Sequence, residues 1–284
     1  MDSDTVVSAY LDRRLGGNPG INNYCFPADG LHTPSDQGVR GEISAAWSQV
    51  AAQRTAAVLY VHIPFCPAHC TFCGFATTYG EDRRESVRSY LRALQGEVAL
   101  WAKQVPLKAL RIAAVCIGGG TPNYLTGEEF RALFDLLKKE FAFEQGAEWT
   151  AEIYPSDRLC DTGVLEAMVE CGVNRLSLAV QDFNDEVLAS TKRLYTAAEA
   201  AGVGARIRTL GITDMNIDLM VGIPGQSVEN AAVNFAGLLE LNPESVTLNP
   251  YSDVSGRIPL RRRFSPDMAA QRALYNHYRD WLVA

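Results

Sequence analysis

Six short apolar runs rich in β-branched residues constrain the fold of this chain more than any other feature. They are "AAVLYVHI" (56–63), "IAAVCIGG" (112–119), "WTAEIY" (149–154), "NRLSLAV" (174–180), "MNIDLMVG" (215–222) and "SVTLNPY" (245–251). Helical patterns lie between them, at about 84–104, 127–140, 158–171, 195–209 and 227–241. In the second of these, Thr126 as N-cap, Glu129 three residues later, and Lys138 and Lys139 in the last turn mark both ends of a helix. Strands too apolar for a solvent-facing sheet, alternating with helices, imply βαβ units and a parallel sheet. Six units make either a doubly wound sheet or a partial barrel. Both gather ligands at the C-terminal ends of the strands.

The flanks read differently. Residues 1–54 precede the first strand and include a stretch, 16–38, dense in Gly, Pro, Asn and Asp, which reads as an irregular N-terminal extension. After the sixth strand, 252–268 reads as a loop whose Arg261, Arg262 and Arg263 face solvent, followed by a last helix at about 266–282. A net charge of −7 argues against bulk attraction to nucleic acid or to an anionic membrane. The acidic start "MDSDTVVSAY" lacks the basic and apolar regions of a secretory signal, and no apolar run reaches the roughly 18 residues of a membrane span. Seven cysteines, an odd number with three of them clustered, do not resemble a secreted disulfide framework. The expected compartment is a reducing cytoplasm.

The clustered three are Cys66, Cys70 and Cys73, spaced C-x3-C-x2-C in the loop after the first strand. Zinc is the first rival, with His62 and His69 near enough in sequence to be considered as a fourth ligand. Structural zinc usually closes its set with a second ligand pair, and no second C-x2-C occurs. An iron–sulfur cluster with thiolates on three irons and the fourth iron open uses three sulfurs without remainder, and is the favoured reading. Cys25, Cys116, Cys160 and Cys171 are isolated and read as free thiols. His62 reads as a hydrogen-bonded core histidine and His69 as a loop-lining one.

"YVHIPFCPAHCTFCGF" (60–75) resembles the opening motif of the radical S-adenosylmethionine (SAM) enzymes, in the family typified by oxygen-independent coproporphyrinogen III dehydrogenase. That family also holds a haem chaperone, C-methyltransferases and cyclopropane-forming enzymes. The likeness recurs in order at "IGGGTP" (117–122), "AEIYP" (151–155), "NRLSLAVQDFNDEVL" (174–188), "NIDLMVGIPGQ" (216–226) and "LNPYS" (248–252). It departs at Phe75, where the dehydrogenase carries a further cysteine, and at Tyr195, where the chaperone shows Arg-x-His.

The resemblance implies a partial (β/α)6 barrel over 55–252, with 1–54 as extension and 253–284 as linker and the start of a C-terminal segment. It implies a 4Fe-4S cluster on Cys66, Cys70 and Cys73, and one or two SAM molecules. Gly118, Gly119, Gly120 and Thr121 would approach the methionine moiety, and Glu152 the ribose or amino group. Gln181, Arg193 and Asp218 match positions that help hold a second SAM, while Tyr60 and Phe72 flank the cluster loop. The implied activity is reductive cleavage of SAM to a radical that acts on a small organic substrate. Porphyrinogen decarboxylation stands level with radical methylation or cyclopropanation, and non-catalytic haem delivery is the alternative. An electron donor such as flavodoxin or ferredoxin would be the partner.

Overall fold

The computed structural model describes residues 36–54, 56–80, 84–252 and 268–284. The chain divides into two compact units, Met1–Gly41 and Glu42–Ala284, and the site lies wholly in the second. Among the described residues six parallel strands form one sheet: β1 (Ala56–Ile63), β4 (Arg111–Gly119), β5 (Phe143–Ile153), β6 (Arg175–Gln181), β7 (Asp214–Val221) and β8 (Ser245–Pro250). They pair in chain order, so the sheet never reverses direction as a doubly wound sheet does. The architecture is that of a partial (β/α)6 barrel. Two short strands, β2 (Phe65–Cys66) and β3 (Thr78–Tyr79), form a separate parallel pair beyond the end of β1.

The helices are α1 (Asp36–Gln53), α2 (Arg84–Ala102), α3 (Gly127–Glu140), α4 (Asp157–Cys160), α5 (Val164–Cys171), α6 (Asp185–Ser190), α7 (Ala197–Thr209), α8 (Ala232–Leu241) and α9 (Met268–Val283). The capping box read at Thr126 and Glu129 is present at the start of α3, and a second one, Thr196 with Glu199, starts α7. Two boundaries differ from the sequence reading. The helix expected over 158–171 is broken into α4 and α5, because Gly163 at φ +71 turns the chain between them. The N-terminal extension, read as irregular, is helical from Asp36 to Gln53, where Ala45, Ala46, Ala51 and Ala52 favour helix. The earlier part of that extension, with Cys25 and His32, and the loop bearing Arg261, Arg262 and Arg263 lie outside the described residues.

The core fills the space between the helices and one face of the sheet. Ile63, Val115, Ile117, Trp149, Ile153, Leu178 and Ile217 pack there with Val87, Phe130, Leu137, Leu165, Met168 and Ile207. The sequence reading had the strands buried on both sides, and here the structure corrects it. Alternate residues of β1 and β8 point to an accessible inner face, with Val58 65% and Tyr60 52% exposed. Six strands leave the inner face too open for side chains to fill it, so that face carries the polar residues.

One buried network fixes the strand ends. Asp182, just past β6, accepts from Gln226 Nε2 at 2.6 Å, Asn234 Nδ2 at 3.0 Å and the Asn184 amide at 2.6 Å. Asn234 also accepts from the Phe183 amide at 2.7 Å and donates to Tyr278 Oη at 2.6 Å. Gln226 accepts from the Gly222 and Ile223 amides, which sets the loop after β7. In α9, Gln271 Nε2 donates to Val221 O at 2.8 Å and Tyr251 O at 3.1 Å.

Loss of Asn234 would leave a carboxylate, an amide and a phenol short of partners in a dry place. Asn234→Ala should lower the unfolding free energy by about 2–4 kcal/mol and Tyr278→Phe by about 1 kcal/mol. Urea denaturation measures both; equal small losses would show that water takes over the bonds.

Candidate radical chemistry site

β1 ends at Ile63, and Pro64 leads into the cysteine loop. Several contacts hold that loop against the strand ends. The Thr78 amide donates to Pro64 O at 2.6 Å and the Gly80 amide to Cys66 O at 3.2 Å, closing it with the β2–β3 ladder. The His69 ring lies flat on Tyr79, with centroids 5.1 Å apart. Tyr124 stacks on Phe65 and donates from its Oη to Gly80 O at 2.8 Å. On the far side the Thr71 amide donates to Thr191 O at 3.3 Å, and the Thr71 hydroxyl pairs with Tyr251 Oη at 3.2 Å.

The glycine run at the end of β4 meets this loop and the neighbouring strand together. A Cβ on Gly118 would lie 2.9 Å from the Glu152 carboxyl carbon, and one on Gly120 2.7 Å from Phe65 O and 2.9 Å from Cys66 Sγ. Gly119 sits at φ +110 with the His62 ring 2.6 Å from where a Cβ would stand, and its amide donates to Glu152 Oε2 at 3.2 Å. The tripeptide therefore has a cysteine at one end and a carboxylate at the other. Thr121, buried beside it, donates to Cys66 Sγ at 3.5 Å.

Cys66, Cys70 and Cys73 are free thiols. Burial pushes Cys66 up to about 11; the Thr121 hydroxyl and the Arg193 charge oppose this, while Cys70 and Cys73 add to it. Cys73 is raised in the same way, again against the pull of Arg193. Among the described residues no three His, Cys, Asp or Glu groups converge on a single metal ion position. Three thiols spread along one loop fit a cluster in which each takes its own iron. Metal ligation would deprotonate them despite their burial.

The inner face continues the site along the strands. Asp218 accepts from Ser177 Oγ at 2.9 Å and Asn216 Nδ2 at 2.8 Å, while Asn216 Oδ1 accepts from Ser245 and Thr247. Glu152 is raised by burial, against the Gly119 amide and aided by Asp218. Asp218 is raised by burial despite its donors. Two half-buried carboxylates, one of which feels the other, make a pocket suited to a cation. Cys116, half-buried on this face, is pushed to about 11 by burial and by Glu152 and Glu148. No ion pair joins Arg193 to Asp218 among the described residues. Arg193 lies instead with its Cζ 5.3 Å from the Phe72 ring, 5.0 Å from Tyr154 and 5.7 Å from Tyr195.

The remaining sequence candidates take distinct places. Phe72 sits between two of the cysteines and packs on the small cluster of Val187, Met220, Ile223 and Tyr251. Tyr60 reaches the loop only indirectly: its Oη pairs with His62 Nδ1 at 3.0 Å, and His62 Nε2 pairs with Ala76 O at 2.9 Å. Gln181 closes β6 at φ +66, buried, where the pairing with β7 slips. The sequence reading missed Tyr154, Thr191 and Gln226. Tyr154 and Gln226 stand inside the motifs "AEIYP" and "GIPGQ", so their place at strand ends was the available signal.

Comparison with known proteins bears directly on this arrangement. Residues 60–235 match the radical SAM superfamily. The chain belongs to that superfamily. Its radical SAM core is similar to the oxygen-independent coproporphyrinogen III oxidase of Paracoccus denitrificans, 32% identical over 242 residues, covering 84% of this chain and 53% of the relative. It is also similar to the heme chaperone HemW of Haemophilus influenzae, 30% identical over 192 residues, covering 66% of this chain and 49% of the relative. Among solved structures, coproporphyrinogen III oxidase (HemN) from Escherichia coli superposes with a TM-score of 0.73 at 29% identity, covering 84% of this chain and 55% of that one. The chain spans about half the length of the curated relatives it matches.

The glycine run yields a prediction that separates strain from crowding. Gly119→Ala should cost more than about 2 kcal/mol, since it adds a clash with His62 to an unfavourable φ, whereas Gly146→Ala, at φ +77 in open space, should cost about 1 kcal/mol. Chemical denaturation of both variants checks this; equal costs would show that the His62 ring simply moves aside.

Proposed function

We propose that this chain binds a 4Fe-4S cluster through Cys66, Cys70 and Cys73 and uses it to cleave SAM for radical chemistry on a porphyrinogen-type substrate. The observation that carries the reading is the glycine tripeptide touching both Cys66 and Glu152. One short segment thereby sets the distance from the thiol loop to the acid that would receive a cationic cofactor. When bound, the reduced cluster supplies the electron that splits SAM into methionine and a 5′-deoxyadenosyl radical.

The residues of the chain bind and orient. Cys66, Cys70 and Cys73 hold three irons. The Gly119–Thr121 backbone, between Cys66 and Glu152, would approach the methionine moiety of SAM, and Glu152 would hold its amino group or ribose. Gln181, Asp218 and Arg193 border the space where a second SAM would lie, and Phe72 and Tyr60 wall it. Residues 55–252 form the working core, with 1–54 as an extension and 253–284 as linker and C-terminal segment. The electron would come from a small carrier of the flavodoxin or ferredoxin kind, in the cytoplasm that the cysteine usage suggests. No helix among the described residues is long and apolar enough to cross a membrane.

Similarity to coproporphyrinogen III oxidases supports oxidative decarboxylation as the reaction. Methyl transfer and cyclopropane formation have no counterpart among the relatives named above. The chaperone relative favours haem delivery as the second reading.

Anaerobic reconstitution should load about four irons and four sulfides per chain. Cys66→Ala should abolish loading, while Cys116→Ala should not. With dithionite the loaded protein should release 5′-deoxyadenosine from SAM, and with coproporphyrinogen III it should release carbon dioxide. Stoichiometric zinc in place of iron would overturn the cluster. Tight haem binding with no SAM cleavage would favour the chaperone.

Affinity for SAM should also depend on pH. Glu152 lies above the usual glutamate range in the free protein, and only its ionised form attracts the ammonium. Binding should therefore weaken as pH falls through that raised value, and Glu152→Gln should flatten the dependence while retaining iron. Isothermal titration of SAM across the acid range measures this, and an unchanged slope in Glu152→Gln would remove Glu152 from the site.

A further inference from the structure

Arg193 is held in an unusual way for a cation. It follows Lys192, at φ +63, in the link between α6 and α7, and its own amide donates to Leu188 O at 3.2 Å. This turn sends the guanidinium among Phe72, Tyr154 and Tyr195, at 5.0–5.7 Å from the three ring centres. The side chain is half-buried, its Nε is buried with no hydrogen-bond partner, and no carboxylate pairs with it among the described residues. Aromatic faces attract the charge without cancelling it. An arginine stays charged in such a place.

The location of this charge gives it a target. Phe72 lies between Cys70 and Cys73, so the guanidinium stacks against the cysteine loop itself. The Thr71 amide to Thr191 O bond ties the same loop to a point two residues before Arg193. A cation fixed beside three thiolates, with Asp218 near enough to feel its charge but not in ion-pair contact, acts on the charge that the thiolates and their metal would carry.

We propose that Arg193 is a positioning residue for electron entry: its fixed charge raises the reduction potential of a cluster held by Cys66, Cys70 and Cys73. The inference rests on the cluster reading above and adds to it a role distinct from contact with SAM. Reduction takes the cluster from the 2+ to the 1+ state by one electron, supplied by a reduced carrier or by dithionite, with no bond formed or broken. The added negative charge is stabilised by a nearby cation more than the oxidised state is, so the cation moves the potential upward.

The test is a potentiometric titration, followed by electron paramagnetic resonance, of reconstituted full chains without SAM. Wild type, Arg193→Gln and Arg193→Lys are compared after iron and sulfide have been measured. Arg193→Gln should shift the midpoint to a more negative value, and Arg193→Lys should return it toward wild type. A full-iron Arg193→Gln protein with an unchanged midpoint overturns the proposal and leaves the cluster reading intact. Absence of iron from the wild type overturns the cluster reading instead. If Arg193→Gln alone fails to hold iron, Arg193→Lys with restored iron and a near-wild-type midpoint supports a role for the charge. Loss of iron from both variants would make Arg193 a packing residue and overturn the proposal.

Discussion

The Gly120 amide donates to Ile63 O at 2.8 Å, and no side chain keeps the two segments apart. That close approach between the end of β4 and the exit from β1 determines where the cysteine loop can begin. Because β1 and β4 pair in register through His62 with Gly118 and Ile63 with Gly119, the same approach fixes Cys66 relative to Glu152 on the next strand. Parallel strands supply several ends at one rim, and the glycines let thiol, histidine and carboxylate share a space that a single methyl group would disrupt.

The two faces of the sheet divide the work. The outer face supplies stability through close-packed Ile, Leu, Val and aromatic side chains against the helices. The inner face pays for function with buried or half-buried polar groups: Ser177, Asn216 and Asp218 satisfy one another, while Arg175 pairs with Asp214 and donates to Ser245 Oγ at 2.8 Å. Such a network costs little when every member has a partner, and it holds the carboxylates in fixed positions. The strands can thus be rigid and polar on one side at once.

Much of this was legible in the chain itself. The six apolar runs fell on the six strands, and the Thr126–Glu129 signal marked the first turn of α3. Features set by distant partners were not legible. The break between α4 and α5 turns at Gly163, but the Arg206 guanidinium that braces both sides of it, pairing with Asp161 at 2.8 Å and Glu166 at 2.7 Å, comes from 45 residues beyond Asp161. The surroundings of Arg193 come from positions 72, 154 and 195, which no periodicity connects. The polar inner face was partly readable: in "MNIDLM" Asn216 and Asp218 alternate with apolar neighbours, but Ala, Ser and Cys on the other strands blur the period.

The tie between Thr71 and Tyr251 spans 180 residues. On a ribosome adding about 5–20 residues per second, the far wall of the cysteine loop emerges roughly ten to forty seconds after the loop does. Throughout that interval the three thiols are on a nascent chain whose retaining wall has yet to be synthesised. Oxygen, disulfide partners and stray metals can all reach them before the fold closes, so the maturation of this protein is a race that its topology sets.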